Sequence, residues 1–310
     1  MSTDTIIDFT NCEQTKKAYG GANGKKVCCK INGERFMVKT PGQAKINPRM
    51  SYANSAICEY LACHILSSLG IDTQETVLGT INIGEKDYIA VGCKDFVPNG
   101  YAIQDFASIK NQVIKSGHSG AGTELSEILD TIDQQELMNR DIILNRFWKI
   151  FVADALIGNW DRHNGNWGFL YNQETDDLRL APVFDCGSSL FPQADEEIIK
   201  AVLSSKSELH RRVYDMPLSA ILEHGEKINY YKCMVSTENK DCLQAIIKIV
   251  PKINMKRISD IIEQTPFITT EQKKFYNTIL AARKTSILDI AYERAIDIEH
   301  DKDAEMENGR

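Results

Sequence analysis

The chain has 310 residues, with 36 Lys and Arg against 43 Asp and Glu, and a formal net charge of -7. A phosphate backbone is normally held by a basic face, so nucleic acid is disfavoured as a partner. With 43% hydrophobic and 25% charged residues the chain can bury a core, and its length suits two lobes.

The opening residues Met1-Ser2-Thr3-Asp4 carry no basic stretch, and no apolar run approaches about 18 residues, so neither a signal peptide nor a membrane-spanning helix is expected. The expected location is cytoplasmic, or secreted or translocated without a signal peptide. Residues 19 to 39 read as a glycine-rich turn followed by two alternating segments joined by Asn32-Gly33. Asn-Gly between apolar alternations signals a hairpin, because both turn positions need positive φ. Lys39 then ends a strand, with Arg35, Met37 and Lys39 on one face and Phe36 and Val38 on the other. A polar loop from Pro41 to Pro48 leads into a helix from about Ala53 to Leu69, with Ile57, Leu61, Ile65 and Leu69 at i+4 steps and Gly70 past its end. Glu59, Cys63 and Leu66 share another stripe of that helix, and His64 reads as a satisfied polar residue on it. Strands Glu75 to Ile81 and Tyr88 to Cys93 follow, separated by a turn at Gly84. Residues 1–94 thus form a small, mainly antiparallel sheet carrying one helix.

Residues 95–298 are mainly helical, with segments at Asp141 to Ile157, Ala194 to Val202, Leu218 to His224, Leu243 to Ile249 and Thr270 to Ala295. Residues 142 to 152 are apolar nearly all round, which marks a helix inside a lobe. Gly117 to Gly122 reads as a mobile loop. Residues 299–310 close the chain as a flexible acidic tail, and 297 to 310 carry six acids against two bases. The nine cysteines are an odd number, widely spaced, in a chain too long to need staples, so reduced and mostly buried thiols are expected. Cys58 and Cys63 lack a nearby pair to complete a zinc site, and no structural metal is expected. Trp148, Trp160 and Trp167, with Tyr230-Tyr231 and Phe275-Tyr276, read as packing residues.

The chemistry-bearing stretch begins where the buried helix ends, at Gly158-Asn159-Trp160-Asp161-Arg162-His163-Asn164-Gly165-Asn166. A polar, glycine-punctuated loop between apolar segments is where a scaffold presents reactive groups. Pro182-Val183-Phe184-Asp185-Cys186-Gly187 forms a second such island. Asp161, Asn166 five positions on, and Asp185 in an Asp-x-Gly turn match the spacing of a phosphoryl-transfer loop and its metal-binding aspartate. That chemistry needs a carboxylate to accept the proton of an attacking hydroxyl and hard oxygen ligands for Mg²⁺. A strand-end Lys supplies charge for the phosphates, and a helix Glu holds it; Lys39 and Glu59 stand in that order. Singly each signal is modest, but the five occur together in sequence at workable separations.

The strings Ala155 to Asn166 and Leu180 to Ser189, with Tyr52 to Leu61 and Cys93 to Phe96, resemble HipA-like serine/threonine kinases, closest to their short, cell-translocating branch. The resemblance spans nearly the whole chain. It implies an α+β, bilobal protein-kinase-like fold, with a small antiparallel-sheet N-lobe bearing one helix and a mainly α C-lobe. It also implies ATP with Mg²⁺ and transfer to Ser or Thr hydroxyls of a protein substrate, self-phosphorylation included. Asp161 would be the catalytic base, Asn166 and Asp185 the Mg²⁺ ligands, Lys39 the phosphate contact and Glu59 its partner. Gly92 to Phe96, with Lys94, Asp95 and Phe96, would be the hinge whose backbone reads adenine. Gly20, Gly21, Ala22, Asn23, Gly24 and Lys25 would cover the phosphates. Arg162 and His163 follow the base where typical kinases have His-Arg before it, and would organise the loop; His163 is either such a nucleotide-side group or a hydrogen-bonded scaffold. Family toxins carry about 100 further N-terminal residues before the glycine loop, so pairing with an antitoxin is not expected here. The family's inhibitory loop Ser has no counterpart within Gly20 to Lys25, which leaves Thr15, Ser51 and Ser188 as candidate self-acceptors.

Two alternatives remain open from sequence. A phosphoinositide-type lipid kinase shares the Asp-Arg-His-Asn-x-Asn loop, but -7 and the lack of a polybasic run disfavour work at an anionic membrane. A non-catalytic nucleotide-binding module on the same fold typically loses the base, a metal ligand or the Lys, all kept here. A metal-dependent hydrolase on Asp161, His163 and Asp185 leaves Lys39 and Glu59 without a role.

Overall fold

The computed structural model describes residues 6–15, 26–40, 54–113 and 119–308. The expected glycine loop, Gly20 to Lys25, the Pro41–Pro48 loop and Ser51 lie outside the described residues, as do 114–118.

A six-stranded sheet forms the first half: β1 (Ile7–Asp8), β2 (Glu13–Thr15), β3 (Lys26–Ile31), β4 (Glu34–Lys39), β5 (Thr76–Ile83) and β6 (Lys86–Lys94), in the order β1-β5-β6-β4-β3-β2. All neighbours run antiparallel except β1 and β5. The turn between β3 and β4 has Asn32 at φ 52° and Gly33 at φ 83°, the paired left-handed geometry that Asn-Gly favours. A two-residue turn fixes the register outward, from Ile31 opposite Glu34 to Lys26 opposite Lys39.

Alternation then sorts the faces of β4. Val38 turns to one side, where Phe9, Cys29, Ile81 and Ala90 form a small separate core. Glycine makes room for this layer: a Cβ at Gly79 would lie 2.6 Å from the Phe9 ring and 2.1 Å from the Ile7 carbonyl oxygen. Met37 and Lys39 turn to the other side, toward helix α1 (Ser55–Ser68), whose Ile57, Leu61 and Ile65 join the main core. Gly70, at φ 76°, lets the chain leave α1 and enter β5.

Beyond β6 the chain is mostly helical, apart from a sheet of β7 (Tyr101–Asp105), β8 (Gly168–Asn172) and β9 (Asp177–Leu180) and a hairpin of β10 (Leu218–Glu223) and β11 (Glu226–Asn229). The helices are α2 (Phe106–Val113), α3 (Leu125–Gln134), α4 (Arg140–Ile157), α5 (Glu196–Ser204), α6 (Lys206–His210), α7 (Tyr230–Ser236), α8 (Lys240–Ile249), α9 (Met255–Gln264), α10 (Thr270–Arg283) and α11 (Asp289–Asn308). Helix α4 is the axis of this half. Twelve of its residues are buried, Asn139 caps its start by accepting from the Asp141 and Ile142 amides, and Gly158 ends it at φ 64°.

Two expectations change. Leu218 to His224 is a strand: Leu218, Ile221 and Leu222 fit a helical stripe, but His224 (φ 54°) and Gly225 (φ 80°) make the hairpin turn to β11. Residues 297–308, read as a solvated tail, continue α11 as helix. All nine cysteines are unpaired, and seven are buried. Trp167 stacks on Phe106 with ring centroids 4.1 Å apart, and Trp148, Tyr230, Phe275 and Tyr276 are buried, so the aromatic residues near the loop pack it. No helix among the described residues is long and apolar enough to cross a membrane.

Because Leu156 is fully buried at the axis, Leu156→Ala is expected to lower stability by about 2–5 kcal/mol, read from the denaturant midpoint at unchanged m-value. A loss under about 0.5 kcal/mol would show that α4 is not the axis described.

Candidate functional site

The site forms where α4 ends. Asp154 is the one carboxylate among the helix's buried residues, and it faces the Arg162 guanidinium. Arg162 Nε donates to Asp154 Oδ2 at 3.0 Å and Nη2 to Oδ1 at 3.3 Å, a two-pronged contact. The remaining donors reach outward: Nη1 to the carbonyl oxygens of Asn166 (3.0 Å) and Phe184 (2.6 Å), and Nη2 to Cys186 Sγ at 3.2 Å. A single side chain, 4% exposed, thereby joins the helix, the Asp161–Asn166 loop and the Asp185 turn. Burial works against its charge, but Asp154 and the hydrogen bonds hold Arg162 firmly protonated.

Asn159 completes the frame. Its Nδ2 donates to Asp154 Oδ1 at 3.3 Å, its Oδ1 accepts from the Asp161 amide at 3.0 Å, and its carbonyl accepts from the Tyr230 hydroxyl at 2.5 Å. The Asp161 carbonyl accepts from the His163 amide and from Asn166 Nδ2, both at 2.8 Å. Asn166 thus uses its amide nitrogen on the backbone and keeps Oδ1 for other work. The Asp161 backbone is fixed on both sides, while its half-buried carboxylate accepts no hydrogen bond among the described residues. Burial holds that carboxyl above its usual range; His163 and Arg162 pull against this and Asp185 adds to it.

Across from this loop, Lys39 Nζ sits 2.9 Å from Glu59 Oε2 and 2.9 Å from Asp185 Oδ1. Glu59, 2% exposed, also accepts the Cys186 amide on Oε1 at 2.8 Å. The close approach depends on Gly187, where a Cβ would lie 2.9 Å from Glu59 Oε2. Burial disfavours the Lys39 ammonium, yet Glu59, then Cys93 and Asp185, raise it well above the ordinary lysine range. Asp185 moves the other way: burial pushes it up, but Lys39 by charge and hydrogen bond carries it below the usual carboxylate range. Asp185 stands at φ 56°, so its backbone is held in the left-handed region. The start of α1 is sewn to the other lobe, since Asn54 Nδ2 donates to the Ala194 carbonyl at 2.8 Å.

Five expected residues therefore come together as two linked groups: Lys39, Glu59 and Asp185 through Lys39, and Asp161 with Asn166 through the loop backbone. His163 is exposed and its Nδ1 accepts from the Gly165 amide at 3.0 Å, the scaffold alternative. Lys94 and Asp95 are occupied elsewhere. Lys94 Nζ pairs with Glu34 at 2.9 Å and Glu75 at 3.2 Å, and Asp95 Oδ2 pairs with Arg35 Nε at 3.1 Å. Their amides donate to the Glu75 and Arg35 carbonyls, and Gln74 Nε2 donates to the Lys94 carbonyl. Phe96 does face the site, 5.6 Å from Phe184 by ring centroids. His64 Nε2 donates to the Thr76 carbonyl oxygen at 3.2 Å as a structural residue.

Sequence reasoning missed three participants. Lys26 lies opposite Lys39, where burial and then the Lys39 charge push its ammonium down; counting the register out from Asn32-Gly33 identifies it. Asp154 was visible as the lone acid within the apolar part of a buried helix, the anomaly that calls for a partner. Cys186 lies with Cys63 and Glu59 such that their ligand atoms fall within 4.8 Å of one another, although Glu59 is already held by Lys39 and the Cys186 amide.

The arrangement offers a partly buried carboxylate, two further oxygen ligands and a fixed ammonium, the parts that phosphoryl transfer requires. Comparison with known proteins identifies the family and the fold. The HipA-like C-terminal domain family model matches residues 18–263. The serine/threonine-protein kinase CtkA of Helicobacter pylori (strain J99) is 46% identical over 294 residues, covering 94% of this chain and 89% of that protein. A crystal structure of the H. pylori proinflammatory kinase CtkA superposes with a TM-score of 0.89 at 45% identity, over 94% of this chain and 98% of that one. HipA of Shewanella oneidensis MR-1, solved with HipB and operator DNA, gives a TM-score of 0.50 at 16% identity over 90% of this chain and 68% of that one, a likeness of fold alone.

Asp154→Leu is expected to cost about 3–5 kcal/mol by stranding the Arg162 charge, whereas Asp154→Leu with Arg162→Met recovers much of that loss in the same denaturation experiment. Equal stability of the single and double variants would show that the pair is not coupled.

Proposed function

The chain belongs to the HipA-like C-terminal domain family and is a serine/threonine protein kinase, and from that premise we propose that Asp161, Asn166, Asp185, Lys39 and Glu59 carry its phosphoryl transfer from ATP. The observation that carries this reading is Lys39 held at 2.9 Å by both Glu59 and Asp185, with Asp185 in turn close enough to act by charge on the Asp161 carboxyl. Three groups distant in sequence converge there without any role in closing a core.

Each residue has a defined task. Lys39, kept charged by its two carboxylates, places a positive point opposite the nucleotide phosphates. Glu59 fixes the ammonium and, through the Cys186 amide, sets the position of the Asp185 turn. Asp161 accepts the proton of the Ser or Thr hydroxyl as that hydroxyl's oxygen bonds to the γ-phosphorus and the bond to the β,γ-bridging oxygen breaks, releasing ADP; the Asn159 and Asn166 contacts keep the Asp161 backbone still meanwhile. Asn166 Oδ1 and the Asp185 carboxylate, 45% exposed, are the hard oxygens that fit Mg²⁺. Bound there, Mg²⁺ neutralises charge on the transferring phosphoryl group. In the hinge, Lys94 and Asp95 have spent their amides on strand partners, so adenine would be read by the Asp95 carbonyl and Phe96 rather than by those amides. Gly20, Gly21, Ala22, Asn23, Gly24 and Lys25 would cover the phosphates, with Lys26 entering the site beside Lys39.

The acceptors proposed are Ser or Thr hydroxyls of a protein substrate and of the chain itself. Ser188 is one such self-acceptor, half-buried three residues beyond Asp185 with its carbonyl bound by the Trp160 amide. The proposed location is cytoplasmic, or secreted or translocated.

Asp161→Asn and Asp185→Asn are each expected to lower phosphate transfer from Mg²⁺-ATP by roughly 10²-fold or more, read by phosphosite mapping and ATP turnover. Wild-type rates in either would remove that residue from the mechanism. Because Asp161 must be ionised to accept a proton and is held above the ordinary carboxylate range, kcat/KM should fall as pH drops through an apparent pKa above about 3.9. An acid limb at or below that value would contradict the role of Asp161 as base.

A further inference from the structure

A second cleft lies on the back of the lobe junction, away from Lys39 and Asp161. It has a volume of about 400 Å³, within the range that holds small ligands. Gly70 and Ile71, leaving α1, form one wall; the start of α4 forms the floor; Leu180 and Ile249 supply apolar surface; and Lys252 closes the far side. Three cations line it: Arg146, Lys149 and Lys252. A Cβ at Gly70 would lie 3.8 Å from Lys252 Nζ, so that ammonium reaches across to the other lobe.

Asp72 lends Arg146 a counter-charge against burial and the Arg162 charge, but the two lysines are not balanced from within. The one acid in the lining, Asp141, is already paired with Arg140 at 3.2 Å. Among the described residues, neither Lys149 nor Lys252 has a carboxylate within salt-bridge distance. Arg146 spends one nitrogen on the Asp72 and Ala181 carbonyl oxygens, at 3.0 and 2.8 Å, which fixes its guanidinium in the wall. Burial and then the charges of Lys252, Lys248 and Arg146 push the Lys149 ammonium down, as expected where like charges converge without a counter-charge. Ile142, 50% exposed at the mouth, adds an apolar edge.

We propose that this cleft binds a compact phosphate-bearing anion, held by Arg146, Lys149 and Lys252 at the junction between the lobes. The chemistry shared by a soluble polyphosphate and a phosphorylated lipid headgroup would satisfy it, because both present clustered phosphoryl oxygens to a fork of cations. The site is separate from the one that carries phosphoryl transfer and stands or falls independently of it.

The test is titration of the full chain with inorganic pyrophosphate, followed by amide chemical shifts. Shifts at Gly70, Ile71 and Lys149 are expected, and they should persist in Lys39→Met, which empties the catalytic side of its ammonium. In Lys149→Gln with Lys252→Glu, affinity at these amides should fall roughly tenfold per cation removed, with an unchanged melting temperature showing that the fold is kept. Lys252 is exposed, so Lys252→Glu alone is a second variant that leaves the core untouched. Co-sedimentation with phosphatidylcholine vesicles, with and without a bisphosphorylated phosphatidylinositol, separates the sources. Retention that the double variant loses assigns a lipid headgroup, and no retention beside pyrophosphate binding assigns a soluble anion. Absence of shifts at these amides, shifts unaltered in the double variant, or equal shifts with chloride at matched ionic strength would overturn the proposal.

Discussion

Every part of the reacting centre is referred to one buried ion pair, Arg162 with Asp154. Taking both charges out of water is costly, and the pair is sustained because the guanidinium satisfies its remaining donors on Asn166, Phe184 and Cys186. Those three acceptors belong to the two loops that must be brought into register. The interaction therefore contributes less as stabilisation than as a coordinate frame: α4 is rigid, Asp154 is fixed on it, and the planar fork transfers that rigidity to two segments with no regular structure of their own. A lysine at 162 would keep the charge and lose the frame, having one nitrogen where five contacts are made.

The second lobe is tied in through Glu59. Its two oxygens divide their labour, one to Lys39 from the sheet and one to the Cys186 amide from the Asp185 turn. Sheet, helix α1 and turn thus meet at one carboxylate buried at 2% exposure. Any displacement of α1 moves the strand Lys and the turn together, which explains why the start of α1 is fastened to the Ala194 carbonyl through Asn54.

Much of this was legible in the sequence where local chemistry and tertiary structure agree. The Asn32-Gly33 hairpin, the helix bearing Glu59 and the buried α4 each follow from turn chemistry or apolar period, and Asp161, Asn166 and Asp185 from spacing. The failures have physical causes. Leu218 to Glu223 is short enough to satisfy either period, and its strand pairing is decided by a His-Gly turn and by the Leu222 amide bonding to the Thr123 carbonyl, about a hundred positions away. At the expected hinge, where the reading of adenine concerns the backbone, no local pattern announces the partners Glu34, Glu75 and Arg35 that claim the Lys94 and Asp95 side chains. Arg162 reads from sequence as a loop organiser, whereas its partner stands eight residues back, in the buried last turn of α4 and across the Gly158 turn.

The absence of a side chain at residue 187 has a consequence beyond its own turn. With Glu59 Oε2 at 2.9 Å from where a Cβ would stand, a larger residue at 187 displaces the Glu59 carboxylate, and the displaced carboxylate leaves the position from which it holds Lys39. Residue 187 therefore bears on the charge pairing of the strand Lys although it never touches it.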